Sequence, residues 1–231
     1  KILFDKSKEK KYQAALKLGD VYDEMDNFHF HEAKDFYLKC LNISEEDLAA
    51  YDKLVHLHRS HGYYDKAIEW QLNLINLKRV QLSKKQLDYQ YFRLGIMYEE
   101  KGDIRDSIDI FRHIVTERQP DSLPSLDRLI SLLILRQEYP EAIEWLKKKL
   151  EINTSISPLR DYCRLGDCYI TNSKEKALEY YEKALSINPE SIAALQRLAR
   201  WYELNAQYKE AINILNKVIF IVSSKQNEPA D

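Results

Sequence analysis

The residues of this chain best suited to meeting a charged ligand are six basic side chains, each followed by leucine. The pairs are Lys17-Leu18, Lys53-Leu54, Arg93-Leu94, Arg128-Leu129, Arg164-Leu165 and Arg197-Leu198. A guanidinium takes a carboxylate or phosphate through two parallel hydrogen bonds, whereas an ammonium offers a point charge. Arg200 and His56 lie near two of the pairs, and Tyr89 and Phe92 flank Arg93 with aromatic surface. The pattern predicts a surface that anchors an acidic, phosphorylated or carboxylate-bearing segment of a partner protein. Lys and Arg are 35 of 231 residues, about 15%, so a column with six basic members of six is well above composition.

Other chemistries find less support. His29, His31, His56, His58 and His61 have no cysteine or carboxylate at a zinc spacing around them, so no metal site is expected. Cys40, Cys163 and Cys168 form no C-x-x-C and cannot all pair, which fits free thiols in a reducing, cytoplasmic compartment. Cys163 and Cys168 are five residues apart on a helix, on separate faces, and no histidine is fixed beside them. There is no glycine-rich phosphate loop, G-x-S-x-G or H-E-x-x-H. Neither catalysis nor a cofactor is expected.

The elements that carry the basic column follow from its period. Successive leucines of the pairs lie 36, 40, 35, 36 and 33 residues apart, the range of stacked helical pairs. In the third unit Tyr91, Leu94, Gly95 and Tyr98 share one helical stripe; Gly102 breaks the helix, and Ile104, Ser107, Ile108, Phe111 and Ile114 mark a second. The fifth unit places Tyr162, Leu165, Gly166 and Tyr169 on the first helix, then Ala177, Tyr181, Ala184 and Pro189 on the second. Arg93 falls about 150° from the centre of its packing stripe and faces outward.

These residues resemble the tetratricopeptide repeat. The resemblance implies an all-α solenoid of about six helix-turn-helix repeats, a right-handed superhelix whose first helices line a concave groove. It assigns repeats near 12–45, 48–87, 88–121, 123–157, 159–191 and 192–222, after an N-terminal helix remnant or cap at 1–11 and before a polar, disordered tail at 223–231. The basic column would then run along the groove floor. In the carboxylate clamp of this family the asparagine slots follow the Leu-Gly positions; here they hold Asp20 and His56, and Asp20 would repel a terminal carboxylate.

Two further readings concern single elements. The stretch from Lys78 to Leu87 contains no Gly or Pro and predicts a longer second helix in the second repeat. Asp20 sits three residues after Lys17, and Asp167 three after Arg164, so each is expected to pair within its own helix. That leaves Arg93, Arg128, Arg197 and Arg200 as the basic residues most available to a partner.

Lys+Arg 35 and Asp+Glu 37 give a net charge of −2, so no global field draws the chain to nucleic acid. No apolar run approaches the ~20 residues of a membrane span. The chain begins at Lys1, which predicts excision from something longer. The apolar run Val218, Ile219, Phe220 has no polar capping helix after it, and array ends normally need one.

The sequence therefore supports a non-catalytic protein-protein interaction scaffold or adaptor. The alternatives are a self-associating assembly subunit using the C-terminal end and convex face, and a targeting or regulatory portion of a longer protein with its catalytic domain elsewhere. Arg59-Ser60-His61-Gly62 with Asp65-Lys66-Ala67-Ile68 is similar to bacterial lipopolysaccharide-assembly regulators, and the loose repeats also suit a subunit of the anaphase-promoting complex.

Overall fold

A computed structural model describes residues 6–25, 29–45, 47–78, 83–152 and 158–226. Among the described residues the chain is all helix, in two compact units, Lys1–Ser125 and Leu126–Asp231. The first unit holds α1 (Lys6–Met25), α2 (Phe30–Ile43), α3 (Leu48–Ser60), α4 (Tyr64–Lys78), α5 (Lys84–Lys101) and α6 (Ile104–His113), which continues into a π turn at Ile114–Arg118. Then come α7 (Leu123–Leu135), α8 (Tyr139–Ile152), α9 (Leu159–Tyr169), α10 (Lys174–Ile187), α11 (Ile192–Leu204) and α12 (Tyr208–Gln226). Odd-numbered helices are the first of each pair, and α1, α3, α5, α9 and α11 each pack on the even-numbered helix that follows.

Local chemistry sets the boundaries. Asp47 caps α3 by accepting the Ala49 N–H at 3.0 Å, and the Ser191 hydroxyl accepts from Ala194 at the start of α11. Gly102 ends α5 in the left-handed region at φ 93°, where a side chain would be strained. Three boundaries differ from the sequence expectation. Helix α4 is described to Lys78 and α5 begins at Lys84, so residues 84–87 extend the first helix of the third repeat, not the second helix of the repeat before. Helix α1 starts at Lys6, within the stretch assigned to a cap, and α12 continues to Gln226, within the assigned tail. Residues 1–5 and 227–231 of those two segments lie outside the described residues.

Glycine decides how closely two of the pairs approach. A Cβ on Gly19 would lie 2.5 Å from the Tyr37 ring, and one on Gly166 would lie 2.2 Å from the Tyr181 ring. Each tyrosine is fully buried over its glycine, and its hydroxyl donates to the next residue along, Tyr37 to Asp20 and Tyr181 to Asp167, both at 3.0 Å. Burial and then these carboxylates raise both phenols far above their ordinary range. Leu-Gly-Asp followed by a buried tyrosine is thus one device, used in repeats one and five.

His58 fills the slot where other repeats place Tyr98, Tyr169 or Tyr202. It is buried, with Nδ1 at 2.7 Å from the Leu54 carbonyl and its ring edge-on to Phe30. Burial pushes its pKa below the ordinary 6.5, against the pull of the Leu54 hydrogen bond and with help from Lys34, Lys66 and His61. A base with a depressed folded-state pKa leaves stability unaffected above about 6.5 and lowers it as pH falls below that value, because only the unfolded imidazole takes the proton readily. Thermal unfolding from pH 7.5 to 5 should therefore show a steeper loss of Tm for the wild type than for His58→Phe. Parallel curves would refute the assignment.

Candidate partner-binding surfaces

The basic column is built, within each unit, as a ladder of ion pairs between successive first helices. On α3 Lys53 places Nζ 2.7 Å from Asp20 of α1, and on α5 Arg93 places Nη1 2.6 Å from Asp52 of α3. In the second unit Arg164 of α9 meets Asp127 of α7 at 3.2 Å and also donates to the Ser131 hydroxyl. Arg197 of α11 donates through Nε to both oxygens of Asp167 on α9, at 3.1 and 2.8 Å. Burial opposes the Arg197 charge, but those bonds outweigh it and raise its pKa; burial dominates at Arg164 and lowers it. The accepting carboxylate occupies one of two positions relative to its own basic residue. It lies three residues after in Asp20 and Asp167, or immediately before in Asp52 and Asp127.

This arrangement corrects the expected pairing. Asp20 and Asp167 reach the next repeat instead of Lys17 and Arg164, and Arg93 and Arg197, expected to be available, are held. Lys17 and Arg200 are exposed and have no ion pair among the described residues. Arg128 is exposed on α7. His56 is exposed with Nδ1 3.7 Å from Asp23. These carboxylates lie 30 to 41 residues away on a neighbouring helix, beyond the three- or four-residue spacing of pairs within one helix.

Exposed cations are scattered, and the first unit carries an open recess. A cleft of about 620 Å³ opens in the first unit between the N-terminal half of α5 and the turn leading into α7. Tyr89 and Phe92 line one side, and Ile114, Gln119 and Pro124 line the other. Tyr89 is 60% exposed; Phe92 rests edge-on against Phe111 at 5.5 Å. The Arg93 guanidinium lies over the Tyr89 ring at 5.9 Å and steadies it from the ladder side. Lys85 stands at the rim with neutral amides from Gln86 and Gln90.

Behind the cleft, the π turn aims Arg118 back at α5. Its Nε meets Asp88 at 2.7 Å and its guanidinium covers the Tyr91 ring at 4.6 Å. One extra residue per turn is what carries the end of the second helix toward the first. Gln71 of α4 donates to the Gln90 carbonyl and side chain at 3.1 and 2.9 Å, fixing the middle of α5 from the other side. The expected aromatic pair thus acquires a recess that sequence alone did not reveal, since Ile114, Gln119 and Pro124 lie about 25 to 35 residues further along.

The second unit contains a cluster that sequence reading missed. Lys149, in a run of three lysines that reads as solvated surface, is buried on α8, with Nζ 2.8 Å from Asp127 and 2.8 Å from Asp161. Arg164 shares the Asp127 carboxylate. The thiols of Cys40 and Cys168 are each pushed up to about 11, chiefly by burial, which keeps them protonated and unreactive at neutral pH. Among the described residues no group of three His, Cys, Asp or Glu is placed to hold a metal ion, and no helix is long and apolar enough to cross a membrane.

Among the described residues, twelve helices in successive pairs, with small residues at the crossings and a ladder between first helices within each unit, define a helical-repeat protein. The tetratricopeptide repeat family matches residues 12–47 and again residues 175–221. A TPR repeat-containing protein of Methanocaldococcus jannaschii, MJ1428, is 25% identical over 244 residues, covering 95% of this chain and 41% of its own length. The crystal structure of MamA is similar at a TM-score of 0.63 and 25% identity, over 80% of this chain and 97% of MamA. YrrB, described as a TPR protein with an unusual peptide-binding site, is similar in fold at a TM-score of 0.58 and 17% identity, over 80% and 91% of the two chains. Two stretches of the chain are thus tetratricopeptide repeats. It spans about two fifths of the length of the archaeal relative.

Proposed function

We propose that the protein is a non-catalytic interaction scaffold that holds a segment of a partner protein at the α5 cleft. The observation that carries this reading is the recess of about 620 Å³ with Tyr89 exposed at its mouth and Phe92 in its wall. Aromatic anchors that close over a desolvated pocket supply most of the affinity of such contacts. An apolar side chain of the partner enters between Phe92 and Pro124, and an acidic residue beside it meets Lys85. The Gln119 amide and the Nε2 of Gln86 are left to hydrogen-bond the backbone of the segment. That YrrB, with the same fold, is described by its peptide-binding site supports the class of ligand.

Arg93 acts here as a support, since Asp52 already holds it. Reversing its charge would set two acids against each other across the α3–α5 joint and would test stability rather than binding. Tyr89→Ala is the cleaner probe, because the ring is exposed and the helix is retained. With the partner identified by capture from the native host, Tyr89→Ala should weaken its affinity by about tenfold or more. Lys85→Glu should weaken it further at low salt than at high salt. Unchanged affinity on Tyr89→Ala would exclude the cleft as the docking site.

A further inference from the structure

The second unit holds a smaller cavity, of about 240 Å³, between the N-terminal ends of α9 and α11. Its walls are Leu159, Arg160, Cys163 and Arg164 of α9 with Ala193 and Arg197 of α11. Three of these residues are arginines, and among the described residues no carboxylate lines the cavity. Helix N-termini add positive partial charge on both sides, and the first turn of α11 contains no acid to offset it.

Two of the arginines belong to the ladder and the third does not. Lys149, Arg164 and Arg197 face Asp127, Asp161 and Asp167, one carboxylate for each cation. Arg160 brings a further cation without a further acid, since it is exposed and has no ion pair among the described residues. It stands four residues before Arg164, on the same face of α9, where like charges repel. The Arg164 side chain is only 12% exposed, so water screens that repulsion poorly. Burial and then Arg160 lower its pKa by more than Asp127 and Asp161 raise it. The cluster is short of negative charge, and an anion in the cavity would supply it.

The donors select among anions. Arg164 commits Nη1 to Asp127 and Nη2 to Ser131, and Arg197 commits Nε to Asp167 and Nη1 to the Ala193 carbonyl. Each keeps one nitrogen uncommitted, and Arg160 keeps its whole fork. Three guanidiniums match the three terminal oxygens of a phosphate monoester, whereas a carboxylate has two. Clefts that enclose a whole small molecule start at about 300 Å³, so this one suits a single charged group with the rest of its carrier outside.

We propose that this cavity receives a phosphorylated side chain of a partner protein, its phosphate bridging Arg160, Arg164 and Arg197. The site lies in the second unit and uses no residue of the α5 cleft, so either reading can fail without the other.

The test titrates the full chain with N-acetyl-O-phosphoserine N-methylamide at constant ionic strength, followed by heteronuclear NMR. This compound should bind about tenfold more tightly than its glutamate counterpart, and should move the Nε–H signals of the three arginines. Arg160→Ala should weaken its binding about tenfold, while Arg200→Ala, which removes an exposed arginine outside the cavity, should leave it unchanged. Arg160 makes no ion pair, so its variant retains the fold, and an unchanged Tm verifies this. Equal affinity for phosphate and carboxylate, no binding of either, or equal effects of the two arginine variants would overturn the proposal. Inorganic phosphate binding more tightly than the phosphoserine compound would assign the cavity to the free ion and overturn its role in docking a partner.

Discussion

Lys149→Met is expected to lower the stability of the second unit by about 3 kcal/mol, the low end of the cost of leaving a buried charge unpaired. The lysine is 7% exposed and lies between Asp127 and Asp161, of which Asp161 is 4% exposed. Methionine matches the length of the side chain but leaves the Asp161 carboxylate in an apolar setting. Its nearest remaining cation is then Arg164, at 4.0 Å. That arginine is why the expected loss is not larger. Asp127 suffers less, since it is partly solvated and keeps Arg164 at 3.2 Å. Adding Asp161→Leu to Lys149→Met should recover most of the loss, because removing both partners avoids the stranded charge. Urea denaturation of the single and double variants measures the difference. A single variant as stable as the wild type would mean that the cluster does not form in solution.

Gly166→Ala should destabilise the same unit by about 2 kcal/mol, although alanine is the better helix former by about 1 kcal/mol. The added methyl group would sit 2.2 Å from Tyr181, whose ring is fully buried and whose hydroxyl is tied to Asp167. A ring on a free surface would swing aside at little cost. Here swinging aside breaks the hydrogen bond and lifts α10 from α9, so the strain outweighs the propensity gain. Tyr181→Phe alone should cost only about 1 kcal/mol, the hydrogen bond without the packing. In combination, Gly166→Ala should cost less on the Tyr181→Leu background, and a double-mutant cycle should show that coupling. Additive losses would place the strain elsewhere.

The fold was legible because packing leaves a short-range trace. Leu94, Gly95 and Tyr98 lie within one turn or two of each other, as do Ala177, Tyr181 and Ala184, and their order repeats through the chain. Charge left no such trace. Asp20 looked like the partner of Lys17 because it is three residues away, yet the structure turns it toward Lys53 on the next first helix. Stacking brings residues one period apart into register, which a search confined to one helix cannot see. Lys149 was hidden for a related reason. Its two neighbours in the lysine run, Lys147 and Lys148, are less enclosed, and only the facing helices supply the two carboxylates. Tyr89 and Phe92 were named from proximity to Arg93. Their recess depends on a π turn, which has no clear sequence signature, and on Pro124 beyond it.

In repeats one and five a single aspartate receives both the tyrosine of its own repeat and the cation of the next, Tyr37–Asp20–Lys53 and Tyr181–Asp167–Arg197. In repeats two and four the accepting aspartate stands immediately before the basic residue instead. Because every repeat carries lysine or arginine at this point, any of them placed after repeat one would bring Asp20 a cation, so these joints are interchangeable in charge although their acceptors differ in position.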